Sequence, residues 1–215
     1  NFAIGSLNKA KNAIKNNAFS DEIIQFTVKS RGGNTIITVD EAPANVNEEK
    51  IPMLRPAFSS KGTITAANAS SISDGAAALT LMKLSTAKEK GLIPLCKIIA
   101  YSTYAQAPKD FTLAPIGAIE LVLKKAKWKV EDVDLWEINE AFAMVTILAI
   151  NALKLNVDRV NVNGGACALG HPLGASGARI VTTLIHALSN RQLKKGVASL
   201  CIGGGEAVAI AIEAI

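Results

Sequence analysis

The sequence predicts an α/β layered fold, with helices on both faces of a mixed β-sheet, joined to part of a smaller α+β region at its N-terminal end. Three observations carry this. From Gly75 onward, apolar runs of strand length alternate with segments of helical periodicity. Hydrophobic residues make up 49% of the 215, with a mean hydropathy of +0.28, which is enough for one sizeable core or a core and a smaller appendage. Three loops rich in small residues fall at strand ends, where layered α/β folds gather their ligands.

Taken in order, Ala3 to Ala18 has helical periodicity, with Ala10, Ile14 and Ala18 on one face and lysines elsewhere. EIIQFTV and TIITV read as two short strands around the turn Arg31-Gly32-Gly33-Asn34. Residues 40–75, with Pro43, Pro52 and Pro56 among many Asn and Ser, are mostly irregular and mark a boundary between a small first region and a larger second one. AAALTLM (76–82) suits a buried strand, and STAKEKG a short helix with Ser85 as N-cap and Gly91 as stop. PLCKIIAYSTYA is a strand, PIGAIELVLKKAKW a helix with Pro in its first turn, and DVDLWEI a short strand. AFAMVTILAINALKL is a mostly apolar helix, VNVNGG a strand end, and GASGARIVTTLIHALSN a helix. GVASLCIGGGEAVAIAIEAI reads as two strands joined at Gly203-Gly204-Gly205.

Composition removes several classes of function. The longest apolar run, Ala141 to Ile150, is about half of the ~20 residues a membrane-spanning helix needs. The first residues, NFAIGSLNKAKNAIKNN, have neither an apolar signal core nor the Arg-rich, acid-poor character of a transit peptide. Since the chain opens at Asn1, a start has been removed or a larger protein cut. Cys96, Cys167 and Cys201 are too few and too scattered for a disulfide framework. They point to an intracellular, reducing setting, with the cytoplasm favoured and mitochondria second. The net charge of +5 comes from scattered lysines, and with 5% aromatics and no stacking residues beside them nucleic acid is the weaker choice of partner. Cys167, His171 and Cys201 lack the fourth ligand of a tetrahedral metal site, so no metal is expected. Nucleotide motifs of the Gly-x-Gly-x-x-Gly or Gly-x4-Gly-Lys type are absent where they would be informative.

The chemistry gathers in three loops. Asn139-Glu140-Ala141-Phe142 offers a neutral amide suited to holding a water or an oxyanion. The stretch Gly164-Gly-Ala-Cys-Ala-Leu-Gly-His-Pro-Leu-Gly-Ala-Ser-Gly177 spends much backbone freedom around one histidine, a residue able to shuttle a proton near neutral pH. Cys201-Ile-Gly-Gly-Gly205 sets a thiol beside backbone N–H groups whose dipoles favour the thiolate. Each also has a plain reading: a glycine turn, the N-cap of the next helix, a small core cysteine. Their joint appearance at strand ends favours the chemical one. His186, inside a helical pattern, reads as structural or exposed.

These three loops resemble the C-terminal signatures of the thiolases. Thr65-Ala-Ala-Asn-Ala-Ser70, followed by Ser73-Asp-Gly-Ala-Ala-Ala78, resembles that family's coenzyme A loop and the start of its C-terminal half. The wording is most similar to the biosynthetic, acetoacetyl-CoA-type members. The resemblance implies residues 1–70 as the remainder of a coenzyme A-binding loop domain and residues 71–215 as the C-terminal thiolase domain. It also implies a Claisen condensation of two acetyl-CoA to acetoacetyl-CoA and CoA, and the reverse thiolysis, through an acetyl-cysteine intermediate. CoA thioesters are then substrates, and no cofactor is needed.

In that frame His171 resembles the histidine that activates the nucleophilic cysteine and, with a water held by Asn139, polarises the second thioester. Cys201 resembles the acid/base at the methyl carbon, and the Gly203 N–H a donor of the second oxyanion hole. Ser70 resembles the pantetheine-contacting serine, Phe58 and Ala66 its neighbours, Phe142 part of the acyl pocket, Ala141 a further substrate- or CoA-binding residue, and Lys50 a lysine near the coenzyme A phosphates. An arginine common in the family a few residues before Lys50 is replaced by Asn45-Val46-Asn47. The family's nucleophile lies upstream of Asn1, and neither Cys96 nor Cys167 sits in a matching motif. The resemblance further implies a homodimer or homotetramer assembled with the N-terminal part of the same protein. The competing readings are a degradative thiolase acting on longer 3-ketoacyl-CoA and a non-catalytic fragment.

Overall fold

The computed structural model describes all 215 residues, Asn1–Ile215. Helix α1 (Phe2–Lys15) buries Ala3, Ser6, Leu7, Ala10 and Ala13, the three- and four-residue spacing that sets one face of a helix inward. That face meets a short helix from the glycine loop, α6 (Ala166–Leu169), where Leu7, Ala10 and Ala168 form a small cluster. Between these ends lies the β1 (Phe26–Ser30) and β2 (Gly33–Ile37) hairpin, paired antiparallel from Phe26↔Ile37 to Ser30↔Gly33. Nine of its ten strand residues are exposed, so it is held by its own ladder and turn rather than by a core. A short helix, α2 (Ala42–Asn45), and a 3-10 turn (Glu48–Met53) lead into the irregular segment expected over residues 40–75.

Two expectations fail just after it. Residues 76–82 form no strand: Ala77 and Leu79 are half-buried while their neighbours are exposed, and no ladder partner lies beside them. An unbroken apolar run carries no information on whether a neighbouring strand exists. The following helix, α3 (Leu84–Glu89), starts two residues early, so Lys83 and not Ser85 is the N-cap, while Gly91 closes the turn at φ +64°.

The larger region is built on a four-stranded sheet of order β3-β6-β5-β4, formed by β3 (Cys96–Ala105), β4 (Leu135–Ile138), β5 (Lys195–Cys201) and β6 (Glu206–Ala214). The β5–β6 and β6–β3 pairs are antiparallel and β4–β5 is parallel, so the sheet is mixed as expected. Helices α4 (Ala114–Ala126) and α5 (Ala143–Leu153) cover one face, where Ile119, Val122, Trp136, Val197 and Ala209 pack together. Helix α7 (Ser176–Asn190) covers the other, with Ile180, Leu184 and Leu188 against Leu135, Ala198 and Ile212. Alternation along the strands divides the two cores: Leu135 faces α7 and Trp136 the opposite layer. His186 is half-buried on α7.

VNVNGG also departs from expectation. Beyond a single bridge, Trp136↔Val160, no strand continues there. Instead the Asn161 side chain takes the place of a strand neighbour: its Oδ1 accepts from the Ile138 N–H at 2.8 Å and its Nδ2 donates to the Ile138 carbonyl at 2.9 Å. The outer edge of β4 is thereby satisfied without a fifth strand.

Candidate active site

A cleft of about 410 Å³ opens at the ends of β4 and β5, lined by Ser70, Ser71, Ile72, Phe111, Ala141, Phe142, His171, Leu173, Leu200, Cys201, Ile202 and Gly203. Six of the residues singled out from the sequence meet here: Ser70, Ala141, Phe142, His171, Cys201 and Gly203. The loop after β4 brings Asn139, buried, to 3.4 Å from His171 Nε2 through its amide nitrogen. Phe58 reaches the cleft edge-on to the Phe142 ring, with centroids 6.4 Å apart, and Phe111 takes a similar place at 6.3 Å. Ala66 sits exposed on the turn of the 65–70 loop, and Lys50 is exposed on the 3-10 turn, outside the cleft lining.

The 65–72 loop stitches these pieces together. Ser70 gives both its N–H and its hydroxyl to the Ala141 carbonyl, at 3.0 Å each, and the Ala143 N–H donates to the Asn68 carbonyl at 2.8 Å. A residue later, Ser71 accepts from the His171 N–H at 2.9 Å. The same loop therefore holds the Asn139 and His171 segments in register, a role invisible in a list of binding residues.

A buried carboxylate organises the glycine loop from below. Glu140 accepts from Ser6 Oγ at 2.7 Å, from Asn161 Nδ2 at 2.8 Å and from the Cys167 N–H at 3.1 Å. Any Cβ on Gly165 would collide with this carboxylate, and Gly170, at φ +89°, packs against Ser73. Close approach and a left-handed turn thus explain two of the loop's glycines. Cys167 is absorbed by the same network, its Sγ 3.8 Å from the Glu140 carbonyl; burial, then Glu140, push its thiol far up. It stays a protonated, structural cysteine, while Cys96, with a thiol raised by burial, lies on the edge strand β3.

Electrostatics set the resting protonation states. Burial pushes the Cys201 thiol above its ordinary range, offset only in part by its backbone hydrogen bond. The expectation that nearby N–H dipoles would favour the thiolate is thus reversed, because desolvation outweighs them. His171 is lowered by burial and then by Arg179, so its imidazole is neutral at neutral pH. Arg179 lies 3.8 Å from Glu137, whose carboxyl burial pushes up to about 8, and near Glu22, pushed up to about 7 by burial. The Gly203 N–H has no hydrogen-bond partner within the chain and borders the cleft.

Phe111, Ser176, Arg179 and Glu140 were missed as site-building residues. Glu140 stood inside a quoted motif, and its placement between Asn139 and Ala141 was the one available signal.

The layered α/β domain thus collects a histidine, an amide and a thiol at one cleft beside the ends of β4 and β5. Family models match both parts of the chain. Residues 1–85 match the thiolase N-terminal domain and residues 92–214 the thiolase C-terminal domain. The chain is similar to the acetyl-CoA acetyltransferase of Schizosaccharomyces pombe, at 47% identity over 100% of this chain and 55% of that protein. It superposes on the crystal structure of the Bacillus anthracis acetyl-CoA acetyltransferase with a TM-score of 0.96 and 46% identity, covering 99% of this chain and 54% of that one. On human mitochondrial 3-ketoacyl-CoA thiolase the TM-score is 0.92 at 36% identity, covering 100% and 54%. The chain belongs to the thiolase family, and it spans about half the length of the curated relatives it matches.

Proposed function

We propose that these 215 residues form the acid/base half of an acetyl-CoA C-acetyltransferase, which condenses two acetyl-CoA to acetoacetyl-CoA and CoA and runs the reverse thiolysis. The observation that carries this is the cleft in which His171, Cys201 and Gly203 meet above Asn139. The nucleophilic cysteine is supplied outside these residues, because Cys167 is locked against Glu140 and Cys96 lies on the sheet edge.

The proton bookkeeping closes with the groups at hand. His171 Nε2 takes the proton of the nucleophilic thiol, whose sulfur attacks the acetyl carbonyl. The departing CoA thiolate takes the proton of Cys201, leaving CoA and a Cys201 thiolate; the raised resting state of that thiol suits this donor role. After the second acetyl-CoA enters, Cys201 removes a methyl proton, and the enolate carbon attacks the acetyl-enzyme. The new C–C bond gives acetoacetyl-CoA, and the nucleophile regains its proton from His171. During this step the His171 N–H, with a water on Asn139, holds the developing oxyanion, and the unpaired Gly203 N–H serves the other.

For the substrate arm, residues 1–70 act as the remainder of the coenzyme A-binding domain and 71–215 as the C-terminal domain. Ser70, Phe58 and Ala66 flank the pantetheine path, Phe142 walls the acyl end with Ala141 beside it, and Lys50 lies toward the phosphates. No cofactor takes part. Leu81, Ile93, Leu95 and Tyr101 are each exposed, apolar side chains suited to burial against the rest of the protein and a second subunit, as a homodimer or homotetramer.

The test compares thiolysis of acetoacetyl-CoA with that of a long-chain 3-ketoacyl-CoA by the full-length protein. Preference for acetoacetyl-CoA is expected. Strong preference for the long chain would assign the degradative reaction instead.

A further inference from the structure

The imidazole of His171 meets a hydrogen-bonding partner at each nitrogen. Nδ1 lies 2.5 Å from Ser176 Oγ, and Nε2 faces the Asn139 amide nitrogen at 3.4 Å. Ser176 is the first residue of α7, is fully buried, and is also 3.1 Å from the Pro172 carbonyl. A carbonyl oxygen only accepts, so the single hydroxyl proton of Ser176 points to Pro172 and its lone pairs face Nδ1. Nδ1 then carries the hydrogen. At the other end the Asn139 amide nitrogen, 3.4 Å from Nε2, can only donate, and a bare Nε2 suits it. The short contact from α7 specifies the tautomer, and the longer one from the loop after β4 agrees with it. The ring is neutral at neutral pH, through burial and the nearby Arg179, so the choice of tautomer decides which nitrogen is a base.

We propose that Ser176 is a positioning residue that holds His171 as its Nδ1–H tautomer and so aims the Nε2 lone pair into the cleft. The catalytic consequence rests on the acyl-transfer reading: only a bare Nε2 can accept the thiol proton, and the N–H so formed is the one that later polarises the second thioester. Ser176 never touches substrate; it acts through His171.

Long-range 1H–15N spectra of histidine-labelled full-length protein at neutral pH test this, with His171 identified by the signal lost in His171→Gln. The wild type is expected to show a protonated Nδ1 and a bare Nε2. Ser176→Ala is expected to move the ring toward Nε2–H and to lower kcat by about 10–100-fold, with KM nearly unchanged. That loss is smaller than the ~10⁴-fold seen where a triad is locked in the wrong tautomer, because alanine leaves both accessible. A wild-type His171 carrying its proton on Nε2 overturns the proposal without any variant, and so remains decisive should Ser176→Ala fail to fold. A Ser176→Ala enzyme that loses kcat but keeps Nδ1–H overturns it too, since the serine would then be structural. So does one whose tautomer changes at full kcat. If the wild-type protein forms no acetoacetyl-CoA, the functional reading fails while the tautomer is still measured.

Discussion

Residues 1–95 and residues 96–215 are made differently. The second region has a four-stranded sheet with a core on each face, and its strands β4 and β5 are buried almost throughout. The first has one amphipathic helix docked on the second region, an exposed hairpin and long stretches with no regular structure. Both are rich in apolar residues, yet Ile24 and Phe26 are exposed while Ile138 and Ile212 are buried. Apolar content therefore does not separate the regions; the presence of a neighbouring strand or helix does. The division also runs through the site. The groups proposed to move protons or hold an oxyanion, His171, Cys201, Asn139 and Gly203, all belong to the second region, whereas Phe58, Ala66 and Lys50 are exposed residues of the first.

The largest expected effect tests that division of labour. In the full-length protein Cys201→Ala should lose condensation by ~10²–10⁴-fold while acylation by acetyl-CoA, though slowed, stays detectable, because water can protonate the departing CoA thiolate in place of Cys201 but cannot remove the methyl proton in the carbon–carbon step. Radiolabelled acetyl-CoA, with trapped protein-bound acetyl and acetoacetyl-CoA scored in parallel, reads both. Near wild-type condensation would return Cys201 to a structural role and erase the contrast.

Core substitutions come next. Leu184 on α7 is fully buried and packs so closely on Gly196 of β5 that a Cβ there would meet it at 2.9 Å. Leu184→Ala should cost about 2–5 kcal/mol in chemical denaturation. A loss under about 1 kcal/mol would mean that α7 is not the keystone of its layer.

What could be read from the sequence follows the same line. The β5–β6 hairpin was legible because two apolar runs of strand length flank the glycine turn Gly203-Gly204-Gly205, and the three loops were legible because glycine, histidine and cysteine mark them locally. Residues 76–82 misled because a run without period looks the same beside a partner strand or without one. Asn161 and Glu140 were hidden for another reason. Their work is a contact between distant positions, such as Glu140 with Ser6, 134 positions away, and no local pattern encodes it; Ser176 lies only five residues from His171, but its role depends on which way the ring turns, which spacing does not tell. Ser85 missed the N-cap by two residues, the ordinary error at helix ends.

A pH effect should also distinguish the regions. Burial pushes the Glu137 carboxyl in the folded state to about 8, against an ordinary value near 4.5. The folded protein thus keeps a proton that the unfolded chain releases. Stability from this group is complete below about pH 4.5 and is lost as pH rises toward about 8, by up to about 1.4 kcal/mol per pH unit. Glu22 adds the same trend up to about 7. Glu137→Gln, neutral throughout, should flatten the decline between about pH 5 and pH 8 in denaturation midpoints. An unchanged slope would show that Arg179 keeps the carboxylate charged.

The smallest effect is expected in the hairpin, and it is the one that can break the comparison most cleanly. Val28 pairs with Thr35 in the β1–β2 ladder and is 43% exposed, with no core behind it. Truncating it removes side-chain surface that is already largely in water, so Val28→Ala should change stability by no more than about 0.5 kcal/mol. The backbone ladder survives the substitution because its hydrogen bonds use no side chain. Measured in the full-length protein, a cost above about 2 kcal/mol would mean that the hairpin is covered there, by the remainder of the chain or by a second subunit. Concentration dependence of the transition separates these two, since only burial by a second subunit makes the midpoint rise with protein concentration. With a small cost instead, the hairpin is a free-standing arm, and the contrast between the two regions holds in the whole protein as it does in these 215 residues.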